Sequence, residues 1–190
     1  MEREILDAAW ALMSRDGVAA LSVRELARAL GLRQQSLTYY FPTKQALLDA
    51  LFADGFRDLS AVFAKLPAQS DPVEAVVNVG VAFGSYAIDA PERYHLMFQR
   101  TVPDFEPTER SLEIAGSCLG VLAERLARAD VTLPGDIAII RGIISGLTSE
   151  QIANDPHGRQ FLDELPRALR AVLSSFDTTR PTTRRAKPKN

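Results

Sequence analysis

Between Arg33 and Tyr40 the chain reads RQQSLTYY, a polar run in which Leu37 is the lone aliphatic residue. Arginine and glutamine side chains carry paired hydrogen-bonding groups that match guanine and adenine edges in the major groove. Each such pair is worth about 1–3 kcal/mol of discrimination. The hydroxyls of Ser36, Thr38, Tyr39 and Tyr40 suit phosphate or sugar oxygens. With Leu37 as the inward anchor of a helix, a step of about 100° per residue turns Gln35, Ser36, Thr38 and Tyr39 away from the core. Arg33 and Gln34 stand at its leading end. Lys44, opening the next helix, would meet a phosphate with its own charge and a helix N-terminus behind it. The competing reading is a solvated face with aromatics packed beside it.

The flanking residues supply what a rigid reading element needs. Ser22-Val23-Arg24-Glu25 has the form of a capping box, in which Ser22 accepts from the Glu25 amide and Glu25 reaches back. Leu26, Ala27 and Leu30 follow at helical spacing, and Gly31 offers the left-handed position that ends a helix. A second helix runs from about Arg33 to Tyr40, Pro42 stops it, and Thr43 is placed to cap the helix beginning at Lys44. A capped helix, a glycine turn and a short polar helix make a helix-turn-helix. The Ser22–Lys44 stretch is expected to bind double-stranded DNA.

The remaining segments carry helical rather than alternating periodicity. Ile5, Ala8, Ala9, Leu12 and Met13 stripe a first helix closed by Asp16-Gly17. A long helix is predicted from Lys44 to about Leu66. After the Pro67 loop, Asp71-Pro72-Val73-Glu74 starts another that runs to about Asp89. Pro91 opens a short one, and two more are predicted over about Thr108–Ala129 and from TLPGD to near Asn154. A last helical region spans Arg159–Phe176, where Pro166 must kink the helix or begin it afresh. The fold class is all-α. The expected division is a DNA-binding domain over 1–46 with a connecting helix over 44–66, a helical domain over 70–177, and a basic tail over 178–190. That tail has five basic residues and no acid, and is read as disordered.

At 190 residues the chain is long enough to bury a substantial core. Its net charge of −2 and pI near 5.7 do not advertise a nucleic-acid partner, so a local basic patch must carry one. A single cysteine, Cys118, excludes an intrachain disulfide and suits a cytoplasmic protein. The charged start MEREILDAAW lacks a signal core, and no apolar run is long enough to span a bilayer. No membrane partner is expected. His95 and His157 lie on different segments without metal-ligand spacing. No phosphate loop or Ser/His/Asp arrangement stands out. No metal, cofactor or enzyme activity is expected.

Ile5 to Leu48 resembles the N-terminal domain of the TetR family of bacterial transcriptional regulators. The likeness is carried by ILDAAWALMSRDG, SVRELARALGL and SLTYYFPTKQALL. The resemblance implies a three-helix helix-turn-helix domain, a larger helical ligand-binding and dimerisation domain, and a homodimer. It places DNA contacts on Ser22 and Arg24 for phosphate, on Arg33, Gln34, Gln35, Ser36, Thr38, Tyr39 and Tyr40, and on Lys44. Thr38 departs from the family's common tyrosine, which shortens that contact. With Met1 as the start, no basic arm precedes the first helix, and readout is expected to rest on the major groove alone.

The C-terminal segments APERYHLMF and GLTSEQIANDP also resemble a subset of the family. There the last two substantial helices form a four-helix bundle with the partner's copies. Ile137, Ile140, Ile144, Leu147 and Gln151, beside a Gly142/Gly146 seam, would be one interface stripe. Leu165, Leu169, Val172, Leu173 and Phe176 would be the other. An ordinary intrachain core competes with that assignment. Phe83, Tyr86, Tyr94, Met97, Phe98, Cys118 and Leu122 are the candidate lining of a pocket for an unidentified small-molecule effector, against a plain-core reading of the same residues. The function these features point to is a ligand-responsive regulator, a repressor, that binds a near-palindromic operator as a homodimer. The alternative is a helical small-molecule sensor without specific DNA readout.

Overall fold

The computed structural model describes residues 1–179. Most of the basic tail therefore lies outside the described residues. Among those described there are nine α-helices, two 3₁₀ turns and no strand. The helices are α1 (Glu2–Asp16), α2 (Val23–Ala29), α3 (Gln34–Tyr40), α4 (Lys44–Ala64), α5 (Pro72–Asp89), α6 (Pro91–Phe98), α7 (Glu109–Arg128), α8 (Pro134–Asn154) and α9 (Leu165–Thr179).

Local chemistry sets most of their ends. Gly31, at φ +64°, closes α2: the Leu32 amide donates to the Ala27 carbonyl at 2.9 Å and the Gly31 amide to Arg28 at 3.1 Å. That pair is the Schellman pattern. Thr43 caps α4 by accepting from the Ala46 amide at 3.0 Å. Asp71 caps α5 by accepting from Val73 at 2.8 Å and Glu74 at 3.3 Å, with Pro72 following where no amide is needed. The Ser22 expectation is corrected. Ser22 has the extended backbone of a cap, but its hydroxyl accepts no amide of the first turn, so the box with Glu25 does not close.

The last helical region begins later than Arg159 and takes the second of the two courses expected at Pro166. A 3₁₀ turn over Leu162–Glu164 precedes α9, which starts at Leu165. Pro166 therefore falls in the first turn, where its missing N–H interrupts nothing. It begins a helix and does not bend one.

Two groups of buried side chains hold the chain together. One gathers Ile5, Trp10 and Met13 of α1, Leu26, Leu37, and the α4 residues Leu47, Leu48 and Leu51. The other is built on Phe52, Phe56, Leu59 and Phe63 of the same α4, with α5, α7, α8 and α9. Helix α4 thus serves both cores, one after the other along its length. Leu96 of α6 reaches back into the first core. The two parts are joined by packing at α6 as well as through the shared helix. No single helix among the described residues is long and apolar enough to cross a membrane.

Gln151 is fully buried, and its side chain organises the loop between α8 and α9. Its carbonyl accepts from the Phe161 amide at 2.9 Å and the Leu162 amide at 3.1 Å, while its Nε2 donates to the Asp155 side chain at 3.1 Å. The Asp155 carboxyl is held below the usual carboxylate range, chiefly by the Gln160 backbone N–H and then by Gln151. Gln151→Leu strands two amides in a dry site and is expected to cost about 2–3 kcal/mol, read as a lower urea midpoint. An unchanged midpoint would show that the loop does not depend on this side chain. Thr148, one turn earlier, has the opposite problem: its Oγ1 is buried without a hydrogen-bond partner. Thr148→Val removes the stranded hydroxyl at nearly constant shape and is expected to add about 1 kcal/mol, seen as a higher midpoint at unchanged m.

Candidate nucleic-acid interface

Helices α2, α3 and the start of α4 form the polar end of the molecule. Leu37 is 0% exposed and fixes the rotation of α3. Arg33, Gln34, Gln35 and Ser36 are exposed, Thr38 is half-buried, and Tyr39 stands 83% exposed beside Tyr40. The two tyrosine rings meet edge to face, 5.3 Å between centroids. A large, exposed aromatic contributes nothing to the fold by burial, so its place here has no packing reason. Arg33, Gln34, Gln35 and Thr38 line one shallow surface hollow. Thr38 is less available than its neighbours, since its hydroxyl donates to the Gln35 carbonyl at 2.9 Å.

Ser22, Arg24, Glu25 and Arg28 line a second hollow on α2. Arg28 was not among the candidates. It lies four residues after Arg24, the spacing that puts two side chains on one face of a helix, and that spacing could have found it. Lys44 is half-buried at the capped start of α4. The arrangement therefore sets amides and guanidinium groups on a convex helix, with hydroxyls and further cations to either side. It can offer bidentate donors to base edges and cations to a backbone of phosphates.

The face is tied to the body by a buried carboxylate. Asp54 of α4, 5% exposed, accepts from the Trp10 indole N–H at 2.8 Å and from Arg3 Nη2 at 3.1 Å, with a second, shorter bond from Arg3 Nη1. The Arg93 guanidinium of α6 lies 4.9 Å over the Trp10 ring and pairs with Asp58 of α4. Tyr86 of α5 donates to the Gly55 carbonyl at 2.9 Å, and burial pushes its hydroxyl up to about 12. Helices α1, α4 and α6 are thereby joined at one point.

The candidate pocket residues do not surround a single cavity. A space of about 400 Å³ is lined by Met97 and Phe98 with Phe52, Leu96, Arg100 and Phe105, among others. A smaller one of about 80 Å³ is lined by Phe83, Phe98 and Leu122 with Phe63, Arg141 and Ser145, among others. Phe98 is common to both. Tyr86 borders a separate surface hollow. Tyr94 is buried and shares a hydrogen bond with Ser149 at 2.8 Å. Cys118 is buried in the core, which raises its thiol above the ordinary value. These three line neither cavity.

The two stripes expected at a subunit interface lie largely inside the chain. Ile140, Ile144, Leu165, Leu169, Leu173 and Phe176 belong to the buried core of the chain itself, with Ile137, Leu147 and Val172 packed against it. Gln151 serves the loop, as described. The uncovered residues of α8 include Ala138, Ile139, Arg141, Gly142, Ser145 and Gly146 on its opposite side. An apolar stripe shows that a helix has something to bury, and here most of that burial is internal.

The comparisons agree with this architecture. Residues 5–51 match the family described as bacterial regulatory proteins, tetR family. The HTH-type transcriptional regulator Rv1816 of Mycobacterium tuberculosis (strain ATCC 25618 / H37Rv) is 28% identical over 132 residues, covering 64% of this chain and 56% of that protein. The HTH-type transcriptional repressor KstR2 of Rhodococcus jostii (strain RHA1) is 28% identical over 107 residues, 56% of this chain and 52% of that one. The chain thus spans about half the length of the curated relatives it matches. Among solved structures, a TetR variant from Acinetobacter baumannii AYE in complex with minocycline aligns over 94% of this chain and 97% of that one, with a TM-score of 0.63 and 22% identity. The match over residues 5–51 makes the N-terminal quarter of the chain a tetR-family region, and the helices that follow share the fold of the solved structures.

Proposed function

We propose that the chain is a sequence-specific DNA-binding repressor that acts as a cytoplasmic homodimer and responds to a small-molecule effector. The observation that carries the reading is the exposed Arg33–Tyr40 face on a helix whose inner side is pinned by Leu37. Each subunit would place α3 in the major groove of one half of a near-palindromic operator. The two half-sites would then lie about 34–36 Å apart or a multiple of that spacing. Gln34, Gln35 and Arg33 read base edges in this account, while Ser22, Arg24, Arg28, Tyr40 and Lys44 hold the backbone. A second copy would lie on the uncovered side of α8, where Gly142 and Gly146 permit close approach.

Response to an effector needs a mechanical route, and α6 supplies a candidate. Its Leu96, Met97 and Phe98 line the larger cavity, while its Arg93 rests on Trp10 of α1 and its Leu96 sits in the N-terminal core. A ligand that displaces α6 would shift α1 and α4 together and change the spacing of the two reading helices. The size of that shift is bounded by the ligand's differential affinity for the two arrangements. The KstR2 relative is named a repressor and the structural neighbour holds minocycline. Both support the reading by analogy. Genome-wide mapping of the DNA bound in cells tests it: a small set of sites sharing a two-fold sequence is expected, and uniform or absent binding would favour the sensor without DNA readout.

A further inference from the structure

The smaller cavity has mostly apolar walls, with few polar side chains among them. Helices α7 and α8 both pack on α5, and the cavity is a slot lined by residues of all three, with Phe63 of α4 and Phe98 of α6. Phe63, Phe83, Leu122 and Ile144 are among its walls, and Phe98 lines it as well as the larger cavity. Phe98 is held there by rings on three sides, with centroids 5.2 Å from Phe56, 5.0 Å from Phe83 and 5.7 Å from Tyr94. Two lining side chains are polar: Arg141 and, one turn later on α8, Ser145. Arg141 takes part in none of the ion pairs among the described residues. Arg3, Arg93 and Arg170 each hold a carboxylate, whereas Arg141, like Arg100 and Arg125, is in no such pair among the described residues. What sets Arg141 apart is its place on this slot.

We infer that this slot binds an alkyl carboxylate, its hydrocarbon tail among the phenylalanines and its carboxylate on Arg141 and Ser145. This rests on the effector-responsive reading above and names the class of the effector. A guanidinium fork matches a carboxylate through two parallel N–H···O bonds, and a hydroxyl can donate a third. Arg141 and Ser145 are both exposed, so the carboxylate would sit at the mouth of the slot, partly screened by water, with the tail inside. The slot's volume of about 80 Å³ sets the tail. It is small beside the roughly 150 Å³ of a cavity that admits benzene, so only the far carbons of a slender chain lie inside it, the rest running out to the exposed Arg141. Phe98 then acts as the stop that limits tail length. Because Phe98 ends α6, a tail pressing on it acts on the helix that touches α1.

The test uses the full chain with hexanoate and hexan-1-ol as probes, followed by calorimetry. Hexanoate is expected to bind saturably and about tenfold or more tighter than the alcohol, the worth of one charge-assisted pair. Arg141→Met should bring hexanoate down to the level of the alcohol and leave the alcohol unchanged, while Arg141→Lys retains part of the preference. Phe98→Ala opens the slot into the larger cavity and should move the best chain length upward, from hexanoate toward decanoate. Absent hexanoate binding, equal affinity for acid and alcohol, or a preference that survives Arg141→Met each overturns the assignment. These readouts need no DNA. Hexanoate binding without any operator would sink the regulator reading and leave the slot standing, and the converse result would do the reverse.

Discussion

Replacing Asp54 by alanine is expected to lower stability by about 2–3 kcal/mol, a large part of what a domain of this size possesses. The carboxylate is nearly dry, and it is the acceptor for the buried Trp10 indole N–H. Removing it strands that donor, which accounts for most of the loss. Arg3 contributes less, because it is half exposed and keeps Asp7 at 2.6 Å. Asp54→Asn preserves an acceptor for Trp10 and gives up only the charge, so about half the loss or less is expected. The measurement is the urea midpoint of each variant, with m compared. Equal losses for alanine and asparagine would mean that the Trp10 bond is not the principal tie. A functional consequence follows from position: Trp10 also carries Arg93, so loosening Asp54 loosens the contact between α1 and α6.

The second large effect is on DNA. Substituting Gln34, Gln35 and Tyr39 together with alanine removes two amides able to read adenine and an exposed aromatic contact, and leaves Leu37 buried. Specific affinity is expected to fall by about two to three orders of magnitude, from discrimination of about 1–3 kcal/mol per bidentate contact. Non-specific binding, carried by Arg24, Arg28 and Lys44, should persist with its salt dependence. Stability should hardly change, since all three positions are exposed. Unchanged specific binding by a folded triple variant would remove the reading role from α3.

Much of this was legible in the sequence because it is local. The Gly31 turn, the Thr43 and Asp71 caps and the polar face around Leu37 depend on residues within a few positions of each other. Each appears where the spacing puts it. Ser22 is the local exception: its backbone takes the cap conformation and its hydroxyl does not engage. The body was less legible, because a stripe does not say what covers it. Ile140, Leu165 and Leu169 have a clear helical face, and only the tertiary fold reveals that α5 and its neighbours already bury it. Gln151 sat within such a stripe, and its use depended on two amides that come ten and eleven residues later. The cavities arise from gaps between helices distant in sequence, so the aromatic inventory named Phe83, Phe98 and Leu122 but not Phe63 or Arg141.

In the proposed function, α3 reads base edges in the major groove from two symmetric subunits. Selection of bound sequences from a random DNA pool, followed by interference footprinting at purine N7, tests it most directly, since N7 is a major-groove atom. One selected near-palindrome is expected, with two clusters of interference centred about one helical turn apart or a multiple of it. A pool that yields no preferred sequence, or a selected site at which N7 modification leaves binding intact, would contradict it.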